Sequence, residues 1–476
     1  MGACVLPVVV SSSDYTLAAG QTLSAVNTDP ITLLVANTLD PTPSITIAGD
    51  VEASSSGAPT TGGNVHGVEI SSTGPFGDPV VMVATGGVLD VDTRATWAGA
   101  AGIDAGSIGP RIVNEGAIKV LAATSACGIV NYGTMGETDP AVVNDGSITV
   151  YSDGDALGVG MVAGQLFVNS GGLQVNGAGH VFGVTVGQSD GEFLNSPAGE
   201  IRVYDMVAPF EGVGVFFQAT LGPQGFLNQG LISADIAFKG DQPDFVLAAD
   251  NVFRNQGEMD GAVQMGVGGQ MLANAGLVRG AVDMGAGDDV YDGGLGQTIG
   301  MVAGGDGADS LAGGAMFDYL QGNAGNDTAS GGDGDDWVVG GRDDDRLSGD
   351  AGADIVYGNL GNDTLDGGDG NDIVRGGQGD DMLAGSAGDD WISGDRGNDT
   401  ESGGAGADTF HFFDGAGFDR VQDFNAAEGD RVQVDAGTNY SLRQGELGVY
   451  IETDTSQMLL VGAHLDQLPS GWIVVD

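Results

Sequence analysis

The sequence predicts an all-β chain: a parallel β-solenoid over the N-terminal half, then a run of stacked nine-residue turn-and-strand repeats, then a β-rich C-terminal segment. Three observations carry that prediction. Residues 304–411 read as twelve consecutive nine-residue blocks in one register, from GGDGADSLA to GGAGADTFH. A looser repeat built on Asn and Gly recurs through the N-terminal half. Apolar periodicity of helix length is almost absent, and 88 glycines suit a turn-rich solenoid.

Residues 1–283 come first, as short runs rich in Gly, Asn, Ser and Val. Their repeat reads VNEGAI at 113–118, NYGTM at 131–135, VNDGSI at 143–148 and VNSGGL at 168–173. It continues as LNQGLI at 227–232, RNQGEM at 254–259 and ANAGLV at 273–278, with Asn195, Gly199 and Ile201 as a stretched copy. Each unit pairs a strand with an Asn–Gly turn, after which another apolar residue points inward. Stacked units cover each other's apolar faces, and Asn side chains at equivalent corners would hydrogen-bond up the stack. Over roughly 85–283 the units resemble the right-handed parallel β-helices of bacterial surface proteins. Residues 1–85 are expected to be the capping coil. The competing arrangement is an irregular β-sandwich with Asn–Gly hairpins.

The second segment is 284–411. It opens on MGAGDDVYD with Asp288 and Asp289, and then 293–303 carries Thr298 where an aspartate belongs, so that turn is expected to distort or lack a site. In the twelve blocks that follow, position six is invariant: Asp309, Asp318, Asp327, Asp336, Asp345, Asp354, Asp363, Asp372, Asp381, Asp390, Asp399 and Asp408. Position eight is apolar in every block but one, where Glu401 intrudes. Met316 and Asp343 replace the glycine of position four, so those two loops have less certain geometry. Glycines at positions one, two and four are expected at positive φ, which turns successive carbonyls towards one point. Positions seven to nine would form a short strand whose middle residue faces inward.

A carboxylate every nine residues among such turns suits Ca2+, which takes six to eight oxygen ligands at about 2.3–2.6 Å. The pattern G-G-x-G-x-D-x-U-x resembles the RTX (repeats in toxin) family. That resemblance implies a parallel β-roll with two nonapeptides per turn, folding when calcium binds. It also implies Asp289 and the twelve position-six aspartates as metal ligands. Alternate blocks would then share an edge, Asp309 with Asp327 and Asp318 with Asp336, each ion bridging consecutive turns.

The third segment, 412–476, changes character. FFDGAGFDRVQDFNAAEGDRVQV leads into short strand-like runs. It resembles the C-terminal segment of type I secretion substrates, through DRVQDF at 419–424 and GDRV at 429–432. The match ends imperfectly, because the acid Asp476 follows the final apolar run where that family often places it before. The resemblance implies an uncleaved export signal read by type I secretion machinery, on a segment that also caps the roll. The start, MGACVLPVVVSSSDYTL, has no basic region and only a short apolar run, so no cleavable secretory signal is expected.

Charge narrows the partners. Against 66 acidic residues stand 14 basic ones, a net −52 that disfavours nucleic acid and anionic membranes and favours divalent cations. No 18-residue apolar run exists, so membrane insertion is not expected. Cys4 and Cys127 have no metal-ligand spacing. No His pair among His66, His180, His411 and His464 has the H-E-x-x-H spacing of a zinc protease, and no G-x-S-x-G elbow has a His and an acid to match. With the resemblances to RTX repeats and to type I secretion substrates, these absences point to a non-enzymatic protein, secreted to the extracellular space or cell surface, calcium-binding, and structural or adhesive. The alternative is a polysaccharide lyase or epimerase with its site on the β-helix.

One further expectation concerns the roll's flank. Tyr319, Trp337, Ile355, Ile373 and Trp391 recur every 18 residues at outward positions, with Val339 and Tyr357 beside them. This apolar stripe calls for a cover. The C-terminal segment is the nearest candidate, and a cell-surface glycan or self-association is the other.

Overall fold

In the computed structural model, residues 253–475 are described without a break; between residues 8 and 240 the strands and shorter turns are described. Every regular element among them is a β-strand, and no helix is long and apolar enough to cross a membrane. The chain forms two compact units: residues 1–267 with 276–279, and 268–275 with 280–476.

In the first unit three strands make one coil. Val142–Asn144, Ser147–Ser152 and Asp155–Met161 lie directly beneath Leu166–Asn169, Gly172–Gly177 and Val181–Val186, each pair parallel and in register. Parallel pairing across sequential coils excludes the hairpin sandwich, because a hairpin makes antiparallel neighbours. The expected single capping coil at 1–85 is also corrected. Val8–Val10 pairs with Thr32–Ala36, Asp14–Leu17 with Ser44–Ile47, and Thr22–Asn27 with Asp50–Ser55, so this stretch already holds stacked coils.

Register turns the loose repeat into columns. Val142, Phe167, Phe193, Phe226 and Phe253 stand one above another inside the unit. The rings of Phe193, Phe226 and Phe253 stack with centroids 4.6 and 3.9 Å apart, each ring fully buried. Two positions along runs a column of asparagines. The Nδ2 of Asn114, Asn144, Asn169, Asn195 and Asn228 each donates to the Oδ1 of the next, at 2.7–2.8 Å, ending on Asn255. These amides are buried, and pairing along the column removes the cost of desolvating each alone.

The glycine two residues after each Asn, or four after Asn195 where it is Gly199, is present for space. A Cβ on Gly146 would meet the Gly116 carbonyl oxygen at 2.1 Å, and one on Gly257 would meet that of Gly230 at 2.2 Å. The motif is therefore N-x-G at a stacked corner, and not a hairpin turn. Asn131 does not belong to the column. It ends the strand Ser125–Asn131, opposite Met161, in another face of the coil; Met135 lies outside the described residues.

In the second unit two strands make a turn. Trp337–Arg342 pairs with Ile355–Leu360, and Thr328–Asp333 with Arg346–Ala351, at an offset of 18 residues. The strands are twice the expected length: they take positions seven to nine of one block and one to three of the next. Leu320, Val338, Val356, Val374, Ile392 and Phe410 fill one interior column, and Leu311, Ala329, Leu347, Leu365 and Leu383 the other. Glu401 is the sixth member of that second column, and it too is fully buried.

The C-terminal segment continues these sheets. Phe418–Val421 pairs with Thr400–Ala405 and carries Gln457–Val461, which closes an antiparallel meander with Gly448–Glu452 and Ser441–Gln444. Arg431–Val434 pairs with Thr409–Phe412 and carries Ile473–Val475. The segment thus satisfies the open strand edge at the end of the roll. It does not lie along the flank, which corrects the expected cover. Trp337 and Ile373 each remain 37% exposed, and only Trp391, nearest the end, is tied down, with Nε1 donating to Gln433 Oε1 at 3.2 Å.

Candidate metal centre

The position-six aspartates form two ladders. On one edge the backbone N–H of Asp345 donates to Asp363 Oδ1 at 2.8 Å, and that of Asp363 to Asp381 Oδ1 at 2.8 Å. The same link runs from Gln270 through Asp289, Asp309 and Asp327 to Asp345, and onward to Asp399. The other edge links Asp318, Asp336, Asp354, Asp372, Asp390 and Asp408. Each carboxylate spends one oxygen holding the turn before it. The other oxygen, Oδ2, is buried without a partner in Asp289, Asp309, Asp327, Asp336, Asp345, Asp354, Asp363, Asp372, Asp381, Asp390, Asp399 and Asp408.

Asp318 is the exception. Its Oδ2 accepts the Gly314 N–H at 2.7 Å, in the block where Met316 stands at position four. Thr298 likewise offers no carboxylate; its Oγ1 accepts from Asn274 Nδ2 at 3.2 Å and meets the Tyr291 hydroxyl at 2.7 Å. These two turns begin their edge without the repeating arrangement.

Two kinds of glycine build the centre. Positions two and four are at positive φ in most blocks, as at Gly368 (105°) and Gly370 (147°). Six other residues that stand there also adopt the left-handed region: Asn323, Asp343, Asp350, Asn359, Ser386 and Asp395 have φ of 66–81°, whereas Met316 does not. Asp343 therefore preserves the turn that its missing glycine put in doubt. Position one is different. A Cβ on Gly340, Gly358 or Gly376 would sit 2.1–2.2 Å from the Oδ2 of its own block's aspartate. That glycine leaves the carboxylate its place, which corrects the expectation of positive φ at all three positions.

Burial sets the electrostatics. It pushes Asp289, Asp336, Asp345, Asp381 and Asp390 up to about 7, and Asp327, Asp363, Asp372, Asp399 and Asp408 up to about 6. Neighbouring aspartates add to the rise. Asp309, Asp318 and Asp354 are raised by burial in the same way. A column of buried like charges needs a cation at each open oxygen. Among the described residues no three acidic, His or Cys side chains gather on one point. An ion here would therefore take most of its oxygens from backbone carbonyls, as a hard cation with six to eight ligands does.

Three features escaped the sequence reading. Both ladders run one rung further than the unbroken blocks: Asp399 N–H donates to Asp419 Oδ1 at 3.3 Å, and Asp408 N–H to Asp430 Oδ1 at 3.0 Å. The signal was there, since Gly417, Asp419 and Val421 repeat the four, six, eight spacing after a two-residue shift. An outer ladder also runs through position five, where Asn362 N–H donates to Asp344 Oδ1 and Asp380 N–H to Asn362 Oδ1. Asn or Asp fills that position in eight of twelve blocks, enough to have shown it. Glu401 Oε1 accepts the Gly394 N–H at 2.8 Å while burial, with Asp419 beside it, holds its carboxyl well above the usual range.

The overlapping segments 303–338, 313–347, 330–365, 339–374, 348–383, 366–401, 375–410 and 385–421 match the family described as RTX calcium-binding nonapeptide repeat (4 copies). This stretch consists of calcium-binding repeats, and calcium is its cofactor. The chain is similar to the AlgE6R3 subunit from the Azotobacter vinelandii mannuronan C5-epimerase, at 28% identity over 28% of this chain and 78% of that one, with a TM-score of 0.21. It is also similar to the extracellular lipase LipA from Serratia marcescens, at 18% identity over 37% of this chain and 40% of that one, with a TM-score of 0.17. No curated protein matches the chain.

Proposed function

We propose that this chain is a secreted calcium-binding protein with a structural or adhesive role at the bacterial cell exterior, whose C-terminal unit folds on calcium after export. The observation that carries the reading is the pair of buried ladders, each carboxylate with one oxygen spent on the fold and one open. Asp289 and the position-six aspartates are the proposed ligands, with Asp318 the weakest because Gly314 already takes its open oxygen. Each ion would bring two charges to a column whose carboxylates otherwise repel, so binding and folding are one event.

In a cytosol poor in calcium the same repulsion keeps the repeats extended, which suits passage through the narrow channel of type I secretion machinery. Outside, millimolar calcium drives folding from the C-terminal segment, whose strands close the end of the roll. Circular dichroism of the whole chain tests the core of this. In chelator the signal should correspond to the first unit alone, and calcium should add the strands of the second in a cooperative step. Complete β structure in chelator would refute the reading.

A further inference from the structure

We infer that a cleft on one outer face of the roll binds the carboxylate of an acidic saccharide. The inference deepens the adhesive reading and rests on it for its biological sense. The cleft measures about 550 Å3, within the ordinary range for a small-molecule site, and is walled by Arg375, Arg396, His411, Phe413 and Gln378.

Its charges are paired, with one exception. Arg375 donates from Nε and Nη2 to Asp395 Oδ2 at 3.1 and 2.7 Å. Ser393 Oγ donates to Asp395 Oδ1 at 2.7 Å, which completes that carboxylate. His411 Nε2 donates to Asp435 Oδ1 at 3.0 Å, while its ring stacks on Trp391 and Phe413 at 5.1 and 5.8 Å. Arg396 is exposed, and its guanidinium has no hydrogen-bond or ion-pair partner among the described residues. In a chain of −52 with 14 basic residues, an unspent guanidinium inside a cleft is a specific feature.

A free guanidinium forks onto a carboxylate. Beside it, Phe413 offers an apolar ring for the C–H face of a sugar, and the Gln378 amide can donate to and accept from hydroxyls. The surrounding negative field disfavours densely charged ligands such as polyphosphates, whereas a short uronate chain spaces its carboxylates a ring apart, so one can sit on the single cation while the others stay in solvent. Ser393 lies 3.3 Å from His411 Nδ1, and with Asp435 this has the outline of a nucleophile triad. The Ser393 hydroxyl is fully buried and gives its proton to Asp395, so it positions the wall and does not attack a substrate.

The test uses the full chain saturated with calcium, and calorimetry with a galacturonate trisaccharide and its carboxyl-reduced counterpart, calcium being kept in excess of any chelation. The wild type should bind the acidic trimer, Arg396→Gln should weaken it at least tenfold, and Arg396→Lys should recover part of the loss. The reduced trimer should bind the wild type no better than the acidic trimer binds R396Q. Equal affinity of wild type and R396Q, equal affinity for the two sugars, or no binding by the wild type would each overturn the inference. Attachment to cells separates the two readings. If wild type and R396Q attach equally, adhesion stands and this cleft falls; if the trimer binds as expected but the chain attaches to no cell, the cleft stands and adhesion falls.

Discussion

Asp363→Asn should have opposite effects with and without calcium. Asp363 Oδ1 accepts the Asp345 N–H at 2.8 Å, and its Oδ2 is buried without a partner. The amide is nearly isosteric, so its oxygen can keep that hydrogen bond. What changes is the open oxygen, which becomes a neutral NH2, and the charge, which disappears. Without calcium the charge is a burden: burial raises this carboxyl from 3.8 to about 6, on the order of 2 kcal/mol against the folded state at neutral pH once solvent screening is allowed for. Burying an unsatisfied amide returns about 1–2 kcal/mol of that, so the calcium-free second unit should gain up to about 1 kcal/mol. With calcium the substitution removes a charged ligand, so the calcium midpoint should rise about tenfold or more. The assay is circular dichroism of the calcium-free chain as pH is lowered, where the variant should gain its β structure at a higher pH than the wild type, and of a calcium titration. The same sign of change in both would sink the argument, because it would mean the carboxylate supports the fold irrespective of any ion.

Three other outcomes are expected. The sign for pH follows from pKa values raised to about 6–7 in the fold against 3.8 outside it: this contribution to stability is complete below about 4 and is lost as pH rises through 6–7. Calcium-free protein should therefore gain β structure on acidification from pH 8 to 5, and a flat ellipticity would count against it. Gly358→Ala places a Cβ 2.2 Å from Asp363 Oδ2 and 2.7 Å from the Gly376 carbonyl oxygen, both fixed groups, and should cost about 1–3 kcal/mol in thermal unfolding with calcium. Removing residues 412–476 should abolish export from cells carrying type I secretion machinery while removal of 1–283 leaves it intact; the truncated chain found in the medium would contradict the proposed signal.

The roll was the most legible part of the chain because its information is local. Each nonapeptide carries its own turn glycines, its carboxylate and its interior residue, so periodicity placed the carboxylates, and the resemblance to RTX repeats implied the 18-residue offset that sorts them into two ladders. The first unit was legible only as a tendency. Its repeats vary in length, so which Asn stands over which is decided by register across coils, and Asn131, whose local sequence fits the repeat, lies on another face. The motif itself reads only as a turn, whereas its glycine is needed because the carbonyl of the coil below occupies the Cβ position.

What the sequence by itself determined is the β class, the stacking period, the calcium-binding repeats and the residues of the two ladders, since all of these follow from spacing along one strand of chain. Tertiary structure decided what depends on residues meeting from distant positions. It placed the tail on the end of the roll, because an open strand edge has unpaired backbone groups that the flank does not. It left Trp337 and Ile373 uncovered, and it added Asp419 and Asp430 to the ladders across insertions that break the period. It also brought Arg375, Arg396, His411 and Asp435 into one cleft. No local pattern announces that grouping, because its members belong to three strands and a loop that only the winding of the roll sets side by side.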